Sequence, residues 1–270
     1  MKSIKRRLDS AVYDEGLTES REKAKSLIMA GLVYVNGQKA DKAGLFVTDT
    51  DIIELKGNDC PYVSRGGLKL EKALNEFNID LQNKIAIDIG ASSGGFTDCL
   101  LQNGAKEVYA VDVGYGQIAY ALRIDSRVHL FEKTNFRYML SDSLAQPVDI
   151  AVMDVSFISI TKLADNLKKF LIFDADYISL IKPQFESEKN QIGKKGVITE
   201  RKSHIAILTK VIYRMREEWF YLKNLTYSPI KGAKGNIEFL AHFTLKASDE
   251  VADTENLVIH ITNQAHEALV

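Results

Sequence analysis

The chain is poor in cysteine and proline and carries almost no net charge. Two cysteines, Cys60 and Cys99, are too few for a disulfide framework or a cysteine-rich zinc site, and they fit a reducing cytoplasm. Four prolines and 46% hydrophobic residues in 270 exclude a disordered chain and point to a folded core. A net charge of -1 announces no polyanionic partner, although a local basic face remains compatible with it. No run approaches the ~20 apolar residues of a membrane span. The longest, Phe170 to Ile181, is broken by Asp174 and Asp176. The opening Met1 to Arg7 is charged and runs into Leu8-Asp9 without the apolar core of a signal peptide, so a cytoplasmic protein is expected. Internal repeats and low-complexity tracts are lacking too.

What is present divides near Cys60-Pro61-Tyr62-Val63-Ser64-Arg65-Gly66-Gly67, where proline and paired glycines read as a linker. The expected organisation is a small unit over 1–60, a linker over 61–66, a larger domain over 67–246 and a tail or helix over 247–270. In the larger domain, strand-like runs alternate with helix-like patterns, the signature of an α/β fold with a mostly parallel sheet. Candidate strands are Ile85 to Ile89, Val108 to Asp112, Val148 to Asp154, Tyr177 to Lys182, Leu222 to Tyr227 and Ile237 to Leu245. Ligands of open α/β sheets bind beyond the carboxyl ends of the strands, so Asp88, Asp112, Asp154 and Lys182 point at one cleft. Charge is uneven: Lys182 to Lys234 holds twelve basic and five acidic residues, and Ala247 to Val270 five acidic and no Lys or Arg. A basic face over the cleft and ordinary solvated helix faces fit this pattern equally well.

In the small unit, Ser20 is placed to cap a helix from Arg21 whose Ala24, Leu27 and Ile28 share a stripe. Gly31 ends it, Leu32 to Val35 reads as a strand, Asn36-Gly37 as a hairpin turn and Ile52 to Leu55 as a closing strand. Arg7-Leu8-Asp9, Ser20-Arg21-Glu22-Lys23-Ala24 and Leu27 to Gly37 together resemble the S-four-type RNA-binding module. The resemblance implies RNA contact by Arg6, Arg7, Arg21 and Lys25, by neutralisation of phosphates. The unit has ten basic and ten acidic residues up to Asp59, so charge alone leaves a purely structural cap open.

Asp88-Ile89-Gly90-Ala91-Ser92-Ser93-Gly94-Gly95-Phe96-Thr97 lies between a strand and a helix, where glycines permit a tight turn and close backbone approach to a ligand. Asp112 ends the next strand, where a carboxylate can accept from ribose hydroxyls. Ser92 stands where a dinucleotide fingerprint has its second glycine, and no Walker-type G-K-[ST] follows. The run resembles the first motif of S-adenosylmethionine methyltransferases, especially the FtsJ-like group. That implies a Rossmann-like class I fold and contacts to S-adenosyl-L-methionine from Asp88, Gly90, Ser92, Ser93, Gly94, Gly95, Phe96, Thr97, Asp112, Val113 and Asp154.

Lys69 in Arg65-Gly66-Gly67-Leu68-Lys69, Asp154 in Asp154-Val155-Ser156-Phe157, Lys182 in Lys182-Pro183-Gln184-Phe185 and Glu238 in Asn236-Ile237-Glu238 each have an ordinary structural reading. Together, in this order, they resemble the Lys-Asp-Lys-Glu tetrad of FtsJ-like ribose 2′-O-methyltransferases. With the N-terminal module, the whole is similar to the TlyA family, often labelled hemolysin. The resemblance implies methylation of cytidine ribose in ribosomal RNA of one or both subunits, Arg65 as a further RNA contact, a monomer and no metal. A ribose hydroxyl is a poor nucleophile until its proton is shared, and an isolated lysine, pKa ~10.4, takes it poorly unless its surroundings favour the neutral amine. The expected roles are Lys182 as base, Lys69 as neighbouring cation, and Asp154 and Glu238 as the groups that orient them. Phe157 and Tyr115 are candidates for stacking on a base. Three other readings stay open: a small-molecule or protein methyltransferase, a membrane-lytic protein, and a non-catalytic RNA-binding assembly factor.

Overall fold

A computed structural model describes residues 5–18, 20–29, 31–55, 60–187 and 196–269. Residues 1–4, Ala30, Asp59, 188–195 and Val270, which entered the charge, motif and tail readings, lie outside the described residues. The chain forms two compact units, Met1–Pro61 and Tyr62–Val270.

The first unit runs β1 (Arg6–Arg7), α1 (Leu8–Asp14), α2 (Arg21–Met29), β2 (Val33–Val35), β3 (Gln38–Ala40), β4 (Phe46–Val47) and β5 (Ile53–Leu55). Ser20 Oγ accepts from the Lys23 amide at 3.1 Å, so the serine caps α2 as its position suggested. Asn36 (φ 50°) and Gly37 (φ 77°) turn the chain between β2 and β3, the positive pair that a tight hairpin needs. Strand β5 pairs with the other edge of β2, not with β3. Leu8, Ala11, Val12, Ala24, Ile28, Val33 and Val47 form a core belonging to this unit alone.

The second unit runs α3 (Gly66–Phe77), β6 (Ile85–Ile89), α4 (Gly95–Gln102), β7 (Glu107–Val111), α5 (Tyr120–Arg123), β8 (Val128–Phe131), β9 (Val148–Met153), α6 (Ala164–Leu167), β10 (Leu171–Ile181), α7 (Pro183–Glu186), α8 (Arg201–Glu217), β11 (Tyr221–Tyr227), β12 (Phe239–Thr244) and α9 (Thr254–Leu269). Seven strands form one sheet in the order β11-β12-β10-β9-β6-β7-β8. Strands β8, β7, β6, β9 and β10 are parallel, and β12 enters antiparallel between β10 and β11. The parallel strands read as nearly unbroken apolar runs because helices cover both faces. From β6 the chain goes first to β7 and β8, then back to β9 on the other side. That reversal opens a crevice between the carboxyl ends of β6 and β9, where open α/β sheets bind ligands.

Strands β8 and β10 depart from the expected set: no strand was expected at Val128–Phe131, which forms the sheet edge beside β7. Strand β10 begins at Leu171, six residues before the run expected to form it, with a register shift against β9 between Leu171 and Asp176. Asp174, which interrupts the apolar pattern, lies within that shift and pairs with Lys246 at 2.7 Å. The tail is a helix, α9, that buries Val258, Ile261, Thr262 and Ala265, so it completes the core instead of trailing from it.

Candidate active site

Asp112, Asp154 and Lys182 each follow directly on β7, β9 and β10, and Asp88 is the penultimate residue of β6. The sheet order therefore sets them side by side as Lys182, Asp154, Asp88 and Asp112. Gly90 (φ 87°) turns the chain out of β6, and a Cβ there would collide with the Asp154 backbone carbonyl. The loop thus needs glycine twice over, for its conformation and for its approach to the end of β9.

Two cavities meet at this crevice. The first, about 500 Å³, is lined by Ser64, Arg65, Gly66 and Lys69, by loop residues including Gly90, Ser92, Ser93, Gly95 and Phe96, by Asp154, and by Ile230 to Lys234. The second, about 390 Å³, is lined by Gly90, Ser92, Asp112, Val113 and Gly114, by Asn135 and Phe136, and by Asp154 to Ile158 with Leu163. Gly90, Ser92 and Asp154 belong to both. Asp112 accepts from the Ser92 amide at 2.8 Å and the Gly114 amide at 2.6 Å, one on each carboxylate oxygen. The carboxylate is thereby held rigid, and each oxygen keeps a further lone pair for a hydroxyl.

The expected cofactor residues separate by position. Gly90, Ser92, Ser93, Gly95, Phe96, Asp112, Val113 and Asp154 line a cavity. Asp88, Gly94 and Thr97 stand behind the wall. Asp88 is fully buried, Thr97 Oγ1 donates to it at 2.6 Å, and its other oxygen has no hydrogen-bond partner among the described residues. Burial pushes the Asp88 carboxyl up to about 7, with Asp154 and Asp112 adding like-charge repulsion while the Thr97 hydrogen bond opposes. Gly94 (φ 93°) caps α4, and a Cβ on it would strike Leu122.

The four tetrad residues form two ion pairs. Lys69 Nζ, on α3, lies 2.6 Å from Glu238 Oε2, with only 10% and 2% of the side chains exposed. Lys182 Nζ lies 2.6 Å from Asp154 Oδ1 and donates to Ser156 Oγ at 3.0 Å. Ser156 is a contact that the sequence reading did not single out. Its only sequence signal was its place two residues after Asp154. Phe157 (φ 65°) is 90% exposed beside this pair, with its ring 4.9 Å from that of Phe185. Tyr115 is exposed under Lys133, whose ammonium sits 4.5 Å from the ring centroid.

In the first unit, the four expected RNA-contacting cations are not equivalent. Arg6 is engaged by Glu15 at 2.6 Å and lies near Asp49 and Asp14. Arg7 and Arg21 stay about half exposed while both reach the buried Asp9, at 3.0 and 3.6 Å. The Arg7 hydrogen bond holds the Asp9 carboxyl below its usual range, against the effect of burial. Lys25 is exposed and has no carboxylate within ion-pair distance among the described residues.

The sheet order with its single antiparallel insertion, and the glycine loop facing a strand-end aspartate, define a class I methyltransferase that uses S-adenosylmethionine. The residues fit that cofactor: an apolar-walled cavity with a fixed carboxylate for ribose hydroxyls, opening onto a glycine turn. The FtsJ-like methyltransferase model matches residues 62–245 and the S4 domain model residues 6–53. The Bacillus subtilis protein YqxC, whose name provisionally gives an rRNA methyltransferase, is 46% identical over 100% of this chain and 97% of its own. The Mycobacterium tuberculosis 16S/23S rRNA (cytidine-2′-O)-methyltransferase TlyA is 38% identical over 86% of this chain and 87% of its own. A Streptococcus thermophilus protein solved as a provisional hemolysin superposes with a TM-score of 0.78 at 45% identity, covering 98% of this chain and 96% of that one. The chain belongs to the TlyA family of FtsJ-like methyltransferases with an N-terminal S4 domain.

Proposed function

We propose that the protein transfers a methyl group to the ribose 2′-hydroxyl of cytidine in ribosomal RNA of the small subunit, the large subunit or both. It would act as a monomer in the cytoplasm and without a metal. The carrying observation is that two lysine–carboxylate pairs, Lys69–Glu238 and Lys182–Asp154, each place one member, Lys69 and Asp154, in the lining of one cavity, and that Asp154 lines the neighbouring cavity too. The tuberculosis relative bears the name of this reaction. Among the described residues no helix is long and apolar enough to cross a membrane, and no group of His, Cys, Asp and Glu is placed to hold a metal ion.

S-adenosylmethionine, when bound, supplies a methyl already activated by its positive sulfur, so the chain's task is to position the hydroxyl and accept its proton. Gly90, Ser92, Ser93, Gly95, Phe96, Asp112 and Val113 hold the cofactor, with Asp88, Gly94 and Thr97 shaping the loop. Lys182 would take the 2′-hydroxyl proton as the oxygen accepts the methyl group that the cofactor supplies. Ser156 suits both states of the base, because its hydroxyl can accept from an ammonium or donate to an amine. Asp154 orients Lys182, and Glu238 holds Lys69 as the neighbouring cation. Arg6, Arg7, Arg21 and Lys25 on the first unit and Arg65 on the second hold the RNA, and Phe157 and Tyr115 offer rings to an unstacked base.

The test is incubation with radiolabelled S-adenosylmethionine and ribosomal subunits, followed by mapping of nuclease-resistant dinucleotides. Label in ribose-methylated cytidine is expected, and Lys182→Ala should lower turnover by roughly 10²–10⁴-fold while RNA binding persists. Label on a base atom, or an active Lys182→Ala, would remove the tetrad mechanism. Label confined to small molecules or protein would replace the substrate class.

A further inference from the structure

The polar lining of the larger cavity is unbalanced in one direction. Lys69, in that lining, is neutralised by Glu238 at 2.6 Å, and the lining carboxylate Asp154 is itself paired with Lys182 at 2.6 Å. Three more cations belong to its lining: Arg65 just before α3, and Lys231 and Lys234 in the segment between β11 and β12. All three are exposed, and none has a carboxylate within ion-pair distance among the described residues. A chain with a net charge of -1 has thus gathered, among the described residues, three cations without a carboxylate partner around one cavity.

These charges do not suit the methyl donor, which is itself a net cation and would lie along the glycine loop that both cavities share, with its ribose beside Asp112. They suit a polyanion entering the first cavity and meeting the cofactor at the shared Asp154. A ribose presented there by its 2′-hydroxyl brings phosphodiesters on both sides, so cations contributed by two separate segments match it.

The segment that carries the lysines is built to stay in place. It joins β11 to β12. Ser228 N–H donates to the Glu238 carbonyl at 2.8 Å, and Gly232 N–H to the Asn236 carbonyl at 2.8 Å. Asn236 is buried; its Nδ2 donates to Gly196 O at 3.2 Å and its Oδ1 accepts from the Ile198 amide at 3.1 Å. Lys234 holds a left-handed backbone (φ 59°, ψ 13°) that a non-glycine residue adopts at a cost. A Cβ at Gly232 would collide with the Glu238 carboxylate, so the loop backbone lies directly against a tetrad member.

We propose that Lys231 and Lys234, together with Arg65 in the lining of the same cavity, hold the phosphodiesters flanking the target ribose and so set it against the tetrad. This rests on the RNA 2′-O-methyltransferase reading. Lys231 and Lys234 are positioning residues, and the loop that aims them also seats Glu238.

The test uses the full chain with ribosomal subunits and radiolabelled S-adenosylmethionine. It compares wild type, Lys231→Ala/Lys234→Ala and Lys231→Arg/Lys234→Arg for kcat, KM for RNA, the salt dependence of RNA affinity and cofactor affinity by calorimetry. The alanine pair should raise KM for RNA at least about tenfold, change kcat less than about threefold and flatten log K against log salt by roughly 0.7 for each lost contact. Cofactor affinity should hold, and the arginine pair should restore most of the KM. An unchanged KM, a fall in kcat alone or weakened cofactor binding would overturn the proposal. A wild-type enzyme that labels no RNA would instead sink the reading beneath it, and failure of both variants to bind RNA more weakly than wild type in the same samples would overturn the proposal as well.

Discussion

Single side chains in this site are held by partners that leave little slack. Lys69 and Glu238 are the sharpest case, because both are nearly closed off from water and each neutralises the other. Removing one charge strands its partner, which typically costs about 3–5 kcal/mol. Glu238→Gln should therefore lower stability by about 3 kcal/mol, read by urea denaturation, and reduce methyl transfer as Lys69 loses its anchor. Unchanged stability together with unchanged turnover would show the pair to be incidental. Arginine numbers alone do not reveal such differences. Arg6, Arg7 and Arg21 look alike in sequence, yet Arg6 is surrounded by three carboxylates while Arg7 and Arg21 share the buried Asp9 and keep about half of their side chains in water.

At the level of elements, α8 and α9 close the sheet beside β11 and β12 and meet through two histidines. His204 Nδ1 lies 2.9 Å from His266 Nε2, and the His204 ring meets Phe239 edge-on. Burial, reinforced by His266, pushes His204 down to about 4, and burial with Arg201 nearby also lowers His266. A depressed native value means that the unfolded chain binds the proton more readily. The stability from this contact is complete above about pH 6.5 and is lost progressively as pH falls toward 4. Wild type should lose thermal stability over that window more steeply than His204→Phe, followed by circular dichroism at matched ionic strength. Parallel curves would mean that His204 takes up its proton without cost. The helix α9 that supplies His266 was only partly readable beforehand, since its stripe of Val258, Ile261 and Ala265 is interrupted by Thr262, which is buried as well.

For the whole molecule, each unit carries its own core, and the tetrad and both cavities lie within the second. A chain lacking residues 1–60 should still fold, bind S-adenosylmethionine and keep its kcat at saturating RNA. Its KM for ribosomal subunits should rise at least about tenfold, with a shallower dependence on salt, because phosphate contacts made by the S4 unit are gone. Equal KM values for the full and shortened chains would assign RNA binding to the second unit alone. Loss of cofactor binding would make the first unit part of the methyl-transfer machinery.

Local rules sufficed for the elements that lead into the site. The strand Ile85 to Ile89, the cap at Ser20, the turn at Asn36-Gly37 and the glycine exit at Gly90 depend on backbone preferences and on patterns within a few residues, and these are written in order along the chain. The four tetrad positions were legible as types at strand ends and in motifs. Their pairing was not, since 169 positions separate Lys69 from Glu238 and only the packing of α3 against β11 and β12 brings them together. The hydrogen bond from Lys182 to Ser156, the placement of Asp88 and Thr97 behind the cavity wall, and the gathering of Arg65, Lys231 and Lys234 in the lining of one cavity were likewise decided by tertiary structure. A side chain's chemistry is carried by its own residue, whereas the partner that neutralises it, or leaves it uncompensated, is chosen by packing between segments far apart in the chain.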